Sequence, residues 1–179
     1  MVEEQPFIES IREHPEDDGP RLVYADWLEE QGRLDRAEFI RVQCGLMSPA
    51  ISLKYIGCED GGPRAKNLER EWILWNAHAR EWFPLPLSWL LDRRPMTASP
   101  SCFVNRGFIQ DVYCMLKEWK KFGDKIYQSN PVQEVHFYRW LSSSTLRRLG
   151  KKYKGVRFST PDSAWGRFRR GLIRSSLVD

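Results

Sequence analysis

A chain of 179 residues with a net charge of +4, 41% hydrophobic residues and eight tryptophans carries enough bulky apolar surface for its own core. That excludes a disordered chain and a miniature that depends on disulfides. The cysteines, Cys44, Cys58, Cys102 and Cys114, form no C-x-x-C pair and lie near no histidine at finger spacing, so free thiols, no metal site and no cofactor are expected. No basic start leads into an apolar run and no apolar stretch approaches membrane-spanning length, so a cytoplasmic location without a membrane partner is expected.

In chain order, residues 6 to 13 read as a short helix, with Pro6 in its first turn, Phe7, Ile8 and Ile11 on one side, and Pro15 stopping it. Acids from Glu16 to Asp18 and then Pro20 prepare the start of a second helix, which Gly32 closes. A third helix is expected from about 35 to 46, then a surface loop over 47 to 65 rich in glycine. Leu68, Trp72, Trp75, Ala79 and Trp82 recur at steps of three and four, which predicts an amphipathic helix over 66 to 83 with these residues in the core. Residues 92 to 102 read as a connection, and later helices are expected over 116 to 128, 143 to 152 and 162 to 174.

The run Pro15-Glu16-Asp17-Asp18-Gly19-Pro20-Arg21-Leu22-Val23-Tyr24-Ala25-Asp26-Trp27-Leu28-Glu29-Glu30, followed by Ala37-Glu38-Phe39-Ile40-Arg41-Val42-Gln43, resembles the repeat-companion domain of planctomycete-type bacteria. Glu71-Trp72-Ile73-Leu74 with Trp82 is similar to the helix that often follows in that family. Phe103-Val104-Asn105-Arg106-Gly107-Phe108-Ile109 resembles its phenylalanine-x-x-arginine-glycine-phenylalanine approach to the first repeat strand. The resemblance covers residues 6 to 46 and, more loosely, 69 to 139. It implies a small helical domain ahead of leucine-rich or related repeats, an architecture and not an activity.

The repeat signal is an apolar-x-x-apolar-x-apolar pattern met three times, at Ile109, Val112 and Cys114, at Val132, Val135 and Phe137, and at Tyr153, Val156 and Phe158. Its central valines, Val112, Val135 and Val156, are spaced 23 and 21 residues, a period typical of leucine-rich-type units that bury their apolar side against a neighbour. The expected fold is α+β: a helical companion domain (1–46), a loop, Trp-rich helix and connection (47–102), and three leucine-rich-like β/α units forming a short solenoid of parallel strands with a basic helical cap (103–179).

Strand alternation places Asp111, Tyr113, Glu134, His136, Tyr138 and Arg157 on the outward face, with Tyr113, His136 and Arg157 in one row. These are the candidate protein-binding residues. Charge offers a second candidate. Residues 1 to 43 hold 12 acidic and 5 basic side chains, whereas 147 to 174 hold 10 basic and one acidic. Arg147, Arg148, Lys151, Lys152, Lys154, Arg167, Arg170 and Arg174 are therefore candidate phosphate contacts for RNA or DNA.

An alternative set, Arg21, Asp26 and Arg41, reads as a buried polar network between helices. No H-E-x-x-H, G-x-S-x-G or phosphate loop occurs, so no catalytic residues are expected. The expected function is an adaptor or accessory subunit binding a protein or ribonucleoprotein, without a small-molecule substrate. The alternative is an RNA- or DNA-binding accessory factor using residues 147–174.

Overall fold

Prolines and glycines divide the chain where the sequence predicts. The computed structural model describes residues 4–47, 63–83, 85–86 and 100–161. Helix α1 (Gln5–Glu13) carries Pro6 in its first turn, and α2 (Gly19–Glu30) starts where Asp17 Oδ1 accepts the Gly19 N–H at 2.8 Å. Gly32, at φ 76°, supplies the left-handed residue between α2 and α3 (Leu34–Met47). Helix α4 spans Pro63–Trp82, so it begins three residues before the expected start at 66.

Two strands then form a hairpin, β1 (Ser101–Asn105) and β2 (Phe108–Cys114). They are followed by α5 (Leu116–Ser129), β3 (Glu134–Phe137), α6 (Ser143–Lys152) and β4 (Arg157–Ser159). Glu118 reaches back to accept the Met115 N–H at 2.7 Å, and Ser142 Oγ accepts the Thr145 N–H at 3.3 Å, so both crossover helices begin with a donor satisfied. The expected helix over 162 to 174, and with it Trp165, lies outside the described residues.

The described chain is thus mixed α and β, with six helices and one four-stranded sheet in the order β1-β2-β3-β4. β1 runs antiparallel to β2, whereas β2, β3 and β4 are parallel. The sheet is not curled. β1 corrects the expectation of a plain connection ending at residue 102, because Cys102 and Phe103 pair with Val112 and Asp111.

The third occurrence of the apolar pattern also needs a correction. Val112 pairs with Val135 and Val135 with Phe158, so both steps are 23 residues and Phe158, not Val156, occupies the third central position. Val156 is buried just ahead of β4. Both residues face inward, so the inward and outward assignments survive a slip of two, but the row does not: Tyr113 and His136 align with Ser159.

The inner face of the sheet, with Cys102, Val112, Cys114, Val135, Phe137 and Phe158, packs on α4, α5 and α6 through Trp75, Ala79, Trp119, Ile126 and Tyr153. The predicted tryptophan stripe is only half right. Trp75 and Ala79 are buried and Trp82 packs on the core, but Trp72 is 66% exposed and Leu68 is exposed as well. The core takes Leu74 and Phe83 instead, because α4 turns its 74–75, 79 and 82–83 edge to both α3 and the sheet.

A second core, built on Ile8, Ile11, Tyr24, Leu28, Ala37 and Ile40, is sealed by Phe108 of β2. The link is the hairpin turn, where Arg106 (φ 50°) and Gly107 (φ 88°) take the two left-handed positions of a two-residue loop whose twist suits the strands. Gly107 donates to Gln43 Oε1 and accepts from Arg36 Nη2, both at 2.6 Å. A Cβ there would stand 2.5 Å from Ile40 Cγ1, so only glycine fits. Arg36 is buried among Phe39, Trp82, Phe83 and Phe108, with ring centroids 4.9 to 5.7 Å away, and burial lowers its pKa to about 10. Arg12 adds a second link, donating to Tyr127 O at 2.6 Å at the end of α5.

Candidate functional site

Because β2 and β3 are parallel and in register, alternate residues of neighbouring strands stand side by side on the outer face. One row is Asp111, Glu134 and Arg157; the next is Tyr113, His136 and Ser159. A bulge sharpens this arrangement. Phe103 pairs with Asp111 but Val104 pairs with Ile109, so Gln110 is the extra residue, and Gln110 and Asp111 both reach the outer hollow. That hollow, of about 320 Å³, is lined further by Tyr113, Gln133, Glu134, His136 and Arg157, with Glu16 from the α1–α2 turn at its rim.

The side chains there hold one another in place. The Tyr113 ring stacks on the His136 imidazole at 4.4 Å and 18°, and Phe103 meets Tyr113 edge-on at 5.6 Å. His136 Nδ1 lies 2.7 Å from Ser159 Oγ, and its Nε2 lies 3.2 Å from Glu134 Oε2. The other oxygen of Glu134, Oε1, is paired with the Arg157 guanidinium. Asp111, Glu134 and His136 each offer one metal-ligating atom, and the three atoms lie within 4.8 Å of one another.

Electrostatics follow from this crowding. Burial, and then the neighbouring Glu134 charge, push the Asp111 carboxyl up to about 6, with Arg157 only partly opposing. Burial lowers the His136 pKa against the pull of Glu134, so the imidazole is neutral at pH 7. Two carboxylates therefore face one guanidinium beside a neutral imidazole.

The sequence-predicted protein-binding residues are brought together with one exception. Tyr138 follows β3, is half-buried, donates its N–H to Cys114 O at 3.2 Å, and does not line the hollow. Gln110, Gln133 and Glu16 are the residues that sequence reasoning missed, whereas Ser159 follows from the same alternation that puts Arg157 outward. The bulge and the 23-residue step, once known, place the first two.

The basic candidates divide. Arg147, Arg148, Lys151 and Lys152 are exposed on α6, whose Leu146 and Leu149 pack inward, and Lys154 is exposed just beyond. Lys152 Nζ is paired with Asp124 at 2.7 Å. Arg167, Arg170 and Arg174 lie outside the described residues. The proposed buried network of Arg21, Asp26 and Arg41 does not form. Arg21 is buried but donates to the Asp17 and Pro15 carbonyls at 2.6 and 2.8 Å, while Arg41 pairs with Asp26 and Glu29 on the exposed side. Arg21 and Asp26 are five residues apart on α2 and so lie on different faces of the helix, with Arg21 turned to the carbonyls of the α1–α2 turn.

Of the cysteines, Cys44, Cys102 and Cys114 are buried free thiols, and burial pushes Cys44 up to about 12 and the other two higher still. None of these three can serve as a thiolate at neutral pH. Among the described residues no helix is long and apolar enough to cross a membrane. No known protein family matches the chain, and neither the curated proteins nor the solved structures contain a match to it.

Proposed function

We propose that this chain is a non-catalytic interaction module, a repeat-companion-like helical domain joined to three short leucine-rich-like units, that docks a protein partner on the outer face of its sheet. The observation carrying the reading is the double row of Asp111, Glu134 and Arg157 beside Tyr113, His136 and Ser159. Tyrosine and arginine are favoured anchors of binding surfaces. With Glu16 at the rim and His136 neutral, the face is acidic by two charges, so it suits a segment that brings a lysine or arginine among hydrogen-bonding groups.

Affinity capture with the native chain, compared with a Tyr113→Ser/Arg157→Ala double variant, tests this. The expected result is a nuclease-resistant protein partner retained by the native chain and lost from the variant. Equal capture by both would overturn the reading.

A second reading rests on α6. Arg147, Arg148 and Lys151 stand exposed along one short helix and favour backbone phosphate of RNA or DNA. Its mark is affinity that falls steeply with salt and a partner released by nuclease.

A further inference from the structure

The outer face has an oddity that docking alone does not explain. Asp111 and Glu134 are register partners, so two carboxylates stand directly opposite each other, an arrangement that destabilises a sheet. Arg157 neutralises only the far oxygen of Glu134. The near oxygen, Oε2, turns instead toward the His136 imidazole.

We propose that Asp111, Glu134 and His136 form a binding site for one first-row divalent cation, with zinc the best match. Tetrahedral zinc holds nitrogen and oxygen donors at about 2.0–2.1 Å, which puts neighbouring donors about 3.3 Å apart. His136 Nε2 and Glu134 Oε2 already stand 3.2 Å apart. The Asp111 oxygen completes a trio whose atoms all lie within 4.8 Å of one another.

The groups behind these donors fit the same reading. Nδ1 of His136 faces Ser159 Oγ at 2.7 Å, and an Nδ1–H donated to that hydroxyl leaves the Nε2 lone pair directed at the carboxylates. Tyr113 fixes the ring plane by stacking, and Arg157 fixes the Glu134 carboxylate through Oε1. The hollow above the trio leaves space for water in the remaining coordination position. One imidazole with two carboxylates and no thiolate suits zinc, manganese, iron or nickel better than copper(I). The site uses the acids that would receive a basic partner, so cation and partner exclude one another.

The test uses the tag-free full chain and no partner, so its failure leaves the docking reading untouched. Equilibrium dialysis against Zn²⁺, and titration with Co²⁺ followed by visible absorption, should give one ion per chain with the intense bands of a four-coordinate nitrogen and oxygen site. Asp111→Asn and His136→Gln should each weaken binding at least tenfold, and Ser159→Ala by about 10–100-fold. His78→Asn should change nothing, although His78 lies 3.3 Å from Asp35 and 3.4 Å from Glu81.

No retained zinc, or unchanged binding in folded Asp111→Asn and His136→Gln variants, overturns the site. Should either variant melt early, imidazole nitrogen spectra of the unaltered chain decide. Zinc must then shift His136, and a shift confined to His14 or His78 overturns the proposal.

Discussion

The two faces of one sheet obey different rules although they share every backbone atom. On the inner face Val112, Val135 and Phe158 form a row in which each residue is apolar and packed against helices. One residue earlier on each strand, Asp111, Glu134 and Arg157 form a row of charges, half-buried at the two acids. The inner row is what a stable fold needs; the outer row includes a like-charge contact that costs stability. A cost of this kind beside well-packed neighbours is what the docking role proposed for the outer face would account for.

The widest separation between the faces is expected for Trp119→Ala. This ring is fully buried between α5 and the sheet, so its removal should cost about 3–5 kcal/mol, read from urea denaturation midpoints, and leave a marginal fold. Gly107→Ala comes next. Overpacking against Ile40 adds to the left-handed strain of an alanine, together roughly 2–4 kcal/mol, and thermal melts should show it as a single shifted transition if the two cores melt together. Two separate transitions would show that the helical core and the sheet are independent.

On the outer face the signs should change. Asp111→Asn removes the like-charge contact with Glu134 and should leave metal-free stability unchanged or raise it by up to about 1 kcal/mol. A clear loss of stability would mean that Asp111 has a structural duty and would blur the contrast. The smallest effect belongs to Arg157→Ala, whose side chain is 78% exposed; less than about 1 kcal/mol is expected, and differential scanning calorimetry would read it.

Much of this was legible in the sequence, for identifiable reasons. Helices α1 to α3 and both crossover helices are bounded by prolines, glycines and capping residues that act locally. Inward and outward strand positions followed from alternation, which survives any even slip. The slip itself was not legible, since Val156 and Phe158 are both apolar and two apart, and only pairing with Val135 chooses between them. β1 escaped because Asn105-Arg106-Gly107-Phe108 puts an arginine where a two-residue hairpin usually has asparagine. That arginine is held by Pro15 O at 3.1 Å and an ion pair with Asp18 at 3.2 Å, neither visible along the chain. The donor trio was legible as positions, since alternation and the 23-residue spacing put Asp111, Glu134 and His136 on one face, but how near their ligating atoms come, within 4.8 Å, was not.

The equal 23-residue steps also bear on how the chain folds. Joining β3 to β2, and β4 to β3, closes loops of one size and so carries about the same chain-entropy cost each time, whereas the β1–β2 turn closes over two residues. The cheapest strand pairing in the molecule is therefore the hairpin, and sheet growth should begin there and add the later strands in turn. Stopped-flow refolding can detect that order. Substitutions at Gly107 should slow folding, while Phe158→Ala in β4 should chiefly speed unfolding, and the opposite pattern would place the nucleus at the far end of the sheet.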